Sequence, residues 1–149
     1  FLNSGNILMR KINNALLVDG DPMSNMVNEG VLHTSKFAHK VGSYMDADEA
    51  LDYLRGLIES DITNFPNVLF LDINLPEMDG WEFLEQMNKF PKFILSRCKV
   101  FMLTSSGEQK DIERSKPYKI VHDFVSKPLT VDKIKILFSP QDGSHNNFI

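Results

Sequence analysis

Cysteine is almost absent. Cys98 is the single one in 149 residues, which excludes an internal disulfide framework and suits a reducing compartment. Histidine is scarce too, and His33, His39, His122 and His145 show no zinc-like spacing among themselves or with Cys98. No apolar run approaches the roughly 20 residues of a membrane span. The opening FLNSGNILMRKIN has too little continuous apolar sequence for a signal peptide and reads as a flank or an expression remnant. Basic residues are not in excess: 16 Lys and Arg against 20 Asp and Glu give a net charge of −4. That leaves no general electrostatic footprint for nucleic acid. Internal repeats and low-complexity segments are also missing. These absences predict a cytoplasmic protein with neither a membrane nor a nucleic acid as partner.

What is present is an apolar content of 42%, enough for one domain with a single core. Apolar runs and helical stripes alternate along it. Ala15–Val18 reads as a short strand, and the following DGDP as a turn into a helix with Met23, Met26, Val27 and Val31 on its apolar stripe. Phe37–Tyr44, mixed in polarity, reads as an edge strand. Ala47, Ala50, Leu51, Leu54, Leu57 and Ile58 keep helical spacing behind Asp46 and Glu49, which resemble a capping box.

Val68–Leu71 shows no alternation and so reads as a strand buried on both faces. Phe83, Leu84, Met87 and Phe90 then form a helical face ending near Pro91. Lys89–Ser96 is long for a connection and reads as an extra helical turn or a contact surface. Val100–Leu103 is a fourth strand, and Glu108–Lys116 a nearly all-polar helix with Ile112 alone to bury. Phe124 and Val125 mark a fifth strand, and Thr130 caps a last helix with Val131, Ile134 and Phe138 on one face. The division expected is a flank over residues 1–13, a domain over 14–138 and a flexible tail over 139–149.

Five strand–helix pairs predict a doubly wound parallel sheet, whose active edge lies at the carboxyl ends of the strands. Asp19 follows the first strand, Asp72 the third, Thr104 and Ser105 the fourth, and Lys127 the fifth. Two crowded carboxylates repel, and a hard cation with oxygen ligands such as Mg²⁺ relieves that repulsion. A carboxylate can also attack phosphorus, and a lysine and a hydroxyl can bind the phosphoryl group so formed.

DINLPEMDGWEFL (Asp72–Leu84), LTSS (Leu103–Ser106) and FVSKPL (Phe124–Leu129), behind LLVDGD (Leu16–Asp21), resemble the receiver domain of bacterial two-component response regulators. The resemblance runs from Ala15 to Phe138, and the D-x-N-x-P-x-M-D-G order is its most specific part. It implies a (βα)5 flavodoxin-like fold with strand order 2-1-3-4-5. It further implies that Asp72 is a phosphoacceptor for a histidine kinase or phosphotransfer protein, with Thr104 and Lys127 reading the phosphoryl group. Mg²⁺ would be held by Asp72, the Asn74 backbone carbonyl and Asp19. Thr104 and Phe124 would form the switch, and Pro76 and Asp79-Gly80 would shape the loop after the nucleophile. Lys127-Pro128 matches a bond that is usually cis in the family. The surface around the fourth helix, fifth strand and fifth helix would meet a downstream protein. Such a module is not an enzyme beyond taking phosphate from small donors and losing it again.

One position departs from that pattern. The family has a second acid after Asp19, usually the direct metal ligand, and this chain has Gly20. Asp21 stands before Pro22 in the arrangement of a helix cap and first helical residue, so it reads as a cap before it reads as a ligand. Weakened metal binding is the expectation. A pseudo-receiver that binds partners without taking phosphate is therefore one alternative. Another is a haloacid-dehalogenase-type phosphatase, with Asp19 as nucleophile and Asp21 as acid/base. That second alternative leaves the Asp72 motif unexplained and has only Gln141-Asp142-Gly143 for its late paired acids. With only a short tail after Phe138, the chain reads as a stand-alone receiver.

Overall fold

The computed structural model describes residues 11–139. The tail beyond Ser139, with Gln141–Gly143 and His145, and most of the expected N-terminal flank lie outside the described residues. Five parallel strands run β1 (Ile12–Val18), β2 (Ala38–Tyr44), β3 (Val68–Asp72), β4 (Lys99–Thr104) and β5 (Val121–Ser126). Their order across the sheet is β2-β1-β3-β4-β5, as expected. The helices are α1 (Pro22–Ser35), α2 (Ala47–Ser60), α3 (Gly80–Met87), α4 (Lys92–Leu95), α5 (Gln109–Ser115) and α6 (Val131–Phe138). The short α4 resolves the Lys89–Ser96 segment as an extra helical turn, with Ile94 buried beneath it.

Strands β1 and β5 are longer than their apolar runs. Ile12 pairs with Ala38 and donates its N–H to the Phe37 carbonyl at 2.8 Å, so ladder pairing carries β1 back through polar Asn13 and Asn14. All five residues of β3 are buried, since the central strand is covered on both faces. β2 lies at the edge, with His39 and Lys40 exposed.

Two apolar layers cover the sheet. On one face, Leu51, Leu54, Phe83, Leu84 and Met87 from α2 and α3 pack against Leu69, Leu71, Val100 and Met102. On the other, Leu32 of α1 and Ile134 of α6 pack against Leu17, Phe70, Phe101 and Val125. Phe37, Phe70, Phe101 and Phe138 stack, tilt or meet edge-on there, with centroids 4.9–6.1 Å apart, and such ring pairs contribute beyond area alone.

Of the apolar stripe expected on α1, Val31 packs against the second layer, and the other three positions are corrected by the structure. Met23 is 70% exposed, Met26 66% and Val27 44%, whereas Asn25, Asn28 and Leu32 are buried. The inward face runs Ser24–Asn28–Leu32, every fourth residue, because the strand-end Asp19 beneath it supplies acceptors for polar side chains.

Candidate functional site

Asp19, Asp72, Thr104 and Lys127 are each delivered by the end of a strand. β1 ends at Val18 and β3 at Asp72, and their parallel pairing sets Val18 beside Leu71. Asp72 in turn pairs with Leu103, and Thr104 with Ser126. The strand ends thus meet at one edge of the sheet. Asp19 is 0% exposed, Thr104 2% and Asp72 3%.

The Lys127 ammonium closes this buried cluster. Its Nζ lies 2.9 Å from Asp72 Oδ2 and 3.6 Å from Asp19 Oδ2, so a single cation bridges both carboxylates. The Lys127 N–H donates to the Thr104 carbonyl at 2.9 Å, fixing where that side chain starts. The Lys127–Pro128 peptide is cis, as the resemblance implies. Beyond it, Lys133 on α6 donates to the Ser126 and Pro128 carbonyls at 2.8 and 2.9 Å, pinning the β5–α6 loop.

Asp72 Oδ1 accepts the Asn74 N–H at 3.1 Å, which folds the loop back over the strand end. Burial raises the Asp72 carboxyl above the ordinary carboxylate range, against the opposing pull of Lys127 and the Asn74 N–H. The loop ends tightly. The Gly80 N–H donates to the Ile73 carbonyl at 2.8 Å. A Cβ on Gly80 would stand 2.6 Å from the Asp72 carbonyl oxygen, so only glycine allows α3 to start this close. Asp79 and Glu82 cap α3 reciprocally in a capping box.

Thr104 does not bond to Asp72. Its hydroxyl oxygen accepts the N–H groups of Ser106 at 3.2 Å and Gly107 at 3.0 Å. Both lone pairs are then occupied, which leaves the hydroxyl proton as the available group. Phe124 is buried at 5% exposure and pairs with Met102, two residues before Thr104. Phe124 and Thr104 therefore share one face of the sheet. On the same side Arg114 of α5 lies 5.0 Å over the Trp81 ring, and Tyr118 packs against that ring at 6.3 Å. Tyr118 also donates its hydroxyl to Glu85, so α3 is tied to the α5–β5 segment.

Asp19 has partners that the sequence pattern did not reveal. Its Oδ2 accepts from the Ser24 hydroxyl and from Asn28 Nδ2 at 3.1 Å, and its Oδ1 accepts the Asp21 N–H at 3.1 Å. Asn25 Nδ2 donates to the Asp19 and Tyr44 carbonyls at 3.0 and 3.2 Å. The signal was there in Ser24, Asn25 and Asn28, polar residues at helical spacing directly behind a strand-end acid. Asp21 caps α1 as expected, its Oδ2 accepting the Ser24 N–H at 2.8 Å.

A resident Mg²⁺ fits this donor set poorly. A Cβ on residue 20 would meet Pro76 Cδ at 2.2 Å, so the place of a second acid is filled by a proline ring. Among the described residues, no group of three or more His, Cys, Asp or Glu is arranged to hold a metal. Nor does any buried side-chain nitrogen or oxygen among them lack a hydrogen-bond partner. The polar groups are satisfied by one another.

The response regulator receiver domain model matches residues 15–138. The response regulator Rcp1 of Synechocystis sp. is 32% identical over 97 residues, 65% of each chain. The probable methanogenesis regulatory protein FilR2 of Methanothrix harundinacea is 30% identical over 120 residues, 80% of this chain and 75% of that one. The chain thus spans just under two thirds of the length of Rcp1. A two component response regulator from Cytophaga hutchinsonii superposes with a TM-score of 0.77 at 26% identity, over 86% of this chain and 95% of that one. Sequence and fold agree: the chain belongs to the response regulator receiver domain family.

Proposed function

We propose that Asp72 accepts a phosphoryl group from a histidine kinase or phosphotransfer protein, and that the altered surface then engages a downstream protein. Receiver domains are in general signalling domains rather than enzymes. The observation that most supports the reading is the Lys127 ammonium 2.9 Å from Asp72 Oδ2, at the carboxyl edge of the sheet. In the transfer, a carboxylate oxygen of Asp72 bonds to phosphorus as the phosphorus–nitrogen bond to the donor imidazole breaks. The electron pair of that bond returns to the imidazole. Lys127 then neutralises part of the new charge, and the Thr104 hydroxyl donates its proton to a phosphoryl oxygen.

Drawing Thr104 inward would break its bonds to Ser106 and Gly107 and reshape the turn ahead of α5. The Phe124 ring, on the same face of the sheet, is the group placed to respond. Receiver domains in general bind Mg²⁺; here Asp72 and the Asn74 carbonyl are the ligands left for it, and binding through them alone would be weak. Cys98, a buried free thiol, suits a reducing compartment, and we place the module in the cytoplasm.

A second reading, a pseudo-receiver that takes no phosphate, is favoured by Pro76 filling the space beside Gly20. The phosphatase alternative is disfavoured, since Asp19 is wholly buried and both of its oxygens already accept hydrogen bonds. Intact-mass analysis after incubation with acetyl phosphate, with and without Mg²⁺, separates the three. Wild type is expected to gain one phosphoryl mass and Asp72→Asn none. No gain from acetyl phosphate or from a phosphorylated phosphotransfer protein would establish the pseudo-receiver. Label on Asp19 would establish the phosphatase.

A further inference from the structure

We propose that Asn28 and Ser24 are positioning residues that hold Asp19 as a hydrogen-bond acceptor of α1, so that Lys127 and not a divalent ion is the resident cation beside Asp19 and Asp72. Asn28 is wholly buried. Its Oδ1 accepts the Leu129 N–H at 2.9 Å and its Nδ2 donates to Asp19 Oδ2 at 3.1 Å. A backbone N–H can only donate, so Leu129 fixes which way the amide points. The end that faces Asp19 is therefore a donor, and it cannot turn an oxygen toward a metal.

Ser24 completes the arrangement. Its hydroxyl donates to the same Oδ2, and its oxygen accepts from Asn28 Nδ2 at 3.2 Å. Oδ2 then spends both lone pairs on α1, and Oδ1 spends one on the Asp21 N–H. A hard cation that needs oxygen ligands would have to displace these donors or share one remaining lone pair. Lys127 needs no such displacement, because it approaches from the Asp72 side at 3.6 Å from Asp19 Oδ2. Asn28 has a further effect through Leu129. This residue follows Pro128, so the amide joins the Asp19 carboxylate to the loop that carries Lys127.

This inference stands apart from phosphorylation, and its test uses no phosphodonor. Mg²⁺ is titrated calorimetrically into wild type, Ser24→Ala and Asn28→Leu. Ser24 is half-buried on the first turn of α1, so its alanine variant is expected to keep the fold. Removing its donor releases a hydrogen bond to the Asp19 carboxylate and is expected to tighten Mg²⁺ binding by about tenfold, roughly 1.4 kcal/mol. Asn28→Leu is expected to do the same if it folds. Adding Asp19→Asn to Ser24→Ala should abolish the gain, showing that the freed carboxylate causes it. The wild type supplies an independent reading in the side-chain amide resonances of Asn28, which should not move across the Mg²⁺ titration. Equal affinity in wild type and Ser24→Ala, or a saturable shift of the Asn28 amide in wild type, would overturn the proposal.

Discussion

Gly20 and Pro76 fit one another: a Cβ on residue 20 would lie 2.2 Å from Pro76 Cδ and 3.0 Å from its Cγ. A proline ring cannot swing aside as a flexible side chain would. Gly20→Ala is therefore expected to destabilise the fold by about 1–3 kcal/mol, the usual cost of overpacking. Gly20→Asp should cost at least as much, so it does not simply install a metal ligand. Pairing Gly20→Ala with Pro76→Ala should recover much of the loss. Denaturant melts of the four proteins in a double-mutant cycle check this, and strictly additive losses would count against the contact.

The raised Asp72 carboxyl makes stability depend on pH. A carboxyl whose folded value is raised binds more protons folded than unfolded, so it contributes stability below its unfolded value and loses it as pH rises through the folded one. Asp72→Asn is expected to be more stable than wild type at neutral pH. The advantage should shrink as pH falls toward about 4, where the unfolded carboxyl also protonates. Chemical melts at several pH values read the difference. A constant gap would show that burial does not control this group.

The outward methionines of α1 lead to a direct comparison. Met26→Lys is expected to change stability by no more than about 0.5 kcal/mol, as exposed substitutions do. Leu32→Ala, six residues on and wholly buried, should cost about 2–5 kcal/mol. A large loss from Met26→Lys would return the helix to the orientation that its apolar stripe suggests.

Cys98 is shut away beneath the end of the α4 turn. Burial pushes its thiol up to about 12, so almost no thiolate forms at pH values where proteins are handled. Native protein is expected to resist alkylation at mildly alkaline pH and to react fully once unfolded in denaturant. Rapid labelling of the native form would show that the turn opens readily.

The sheet was legible because its signal is coarse. Four apolar runs without alternation and one mixed edge segment are enough to name a parallel sheet. The chemistry-bearing residues then fall at strand ends whatever the details. The meeting of Asp72, Thr104 and Lys127 at one edge needed only that logic. The orientation of α1 was only partly legible, because Met23, Met26 and Val27 form a good apolar stripe with Val31, and of the four Val31 alone packs against the core. What turns the helix is the requirement of Asp19 for donors, a demand made from a different element. The fit between Gly20 and Pro76 was hidden for a similar reason, since a missing side chain does not say what occupies its place.

The packing of Trp81 gives this protein a built-in optical sensor. It is the single tryptophan, 3% exposed, with the Arg114 guanidinium 5.0 Å from its ring. Its helix starts at the end of the Asp72 loop, while the guanidinium belongs to α5 and Tyr118 to the segment after it. Separation of α5 from α3 would hydrate the indole and remove the cation, moving its emission to longer wavelength. Energy transfer from Tyr118 would fall in the same event. Motion at this surface can thus be followed in the unlabelled chain, in real time, by fluorescence alone.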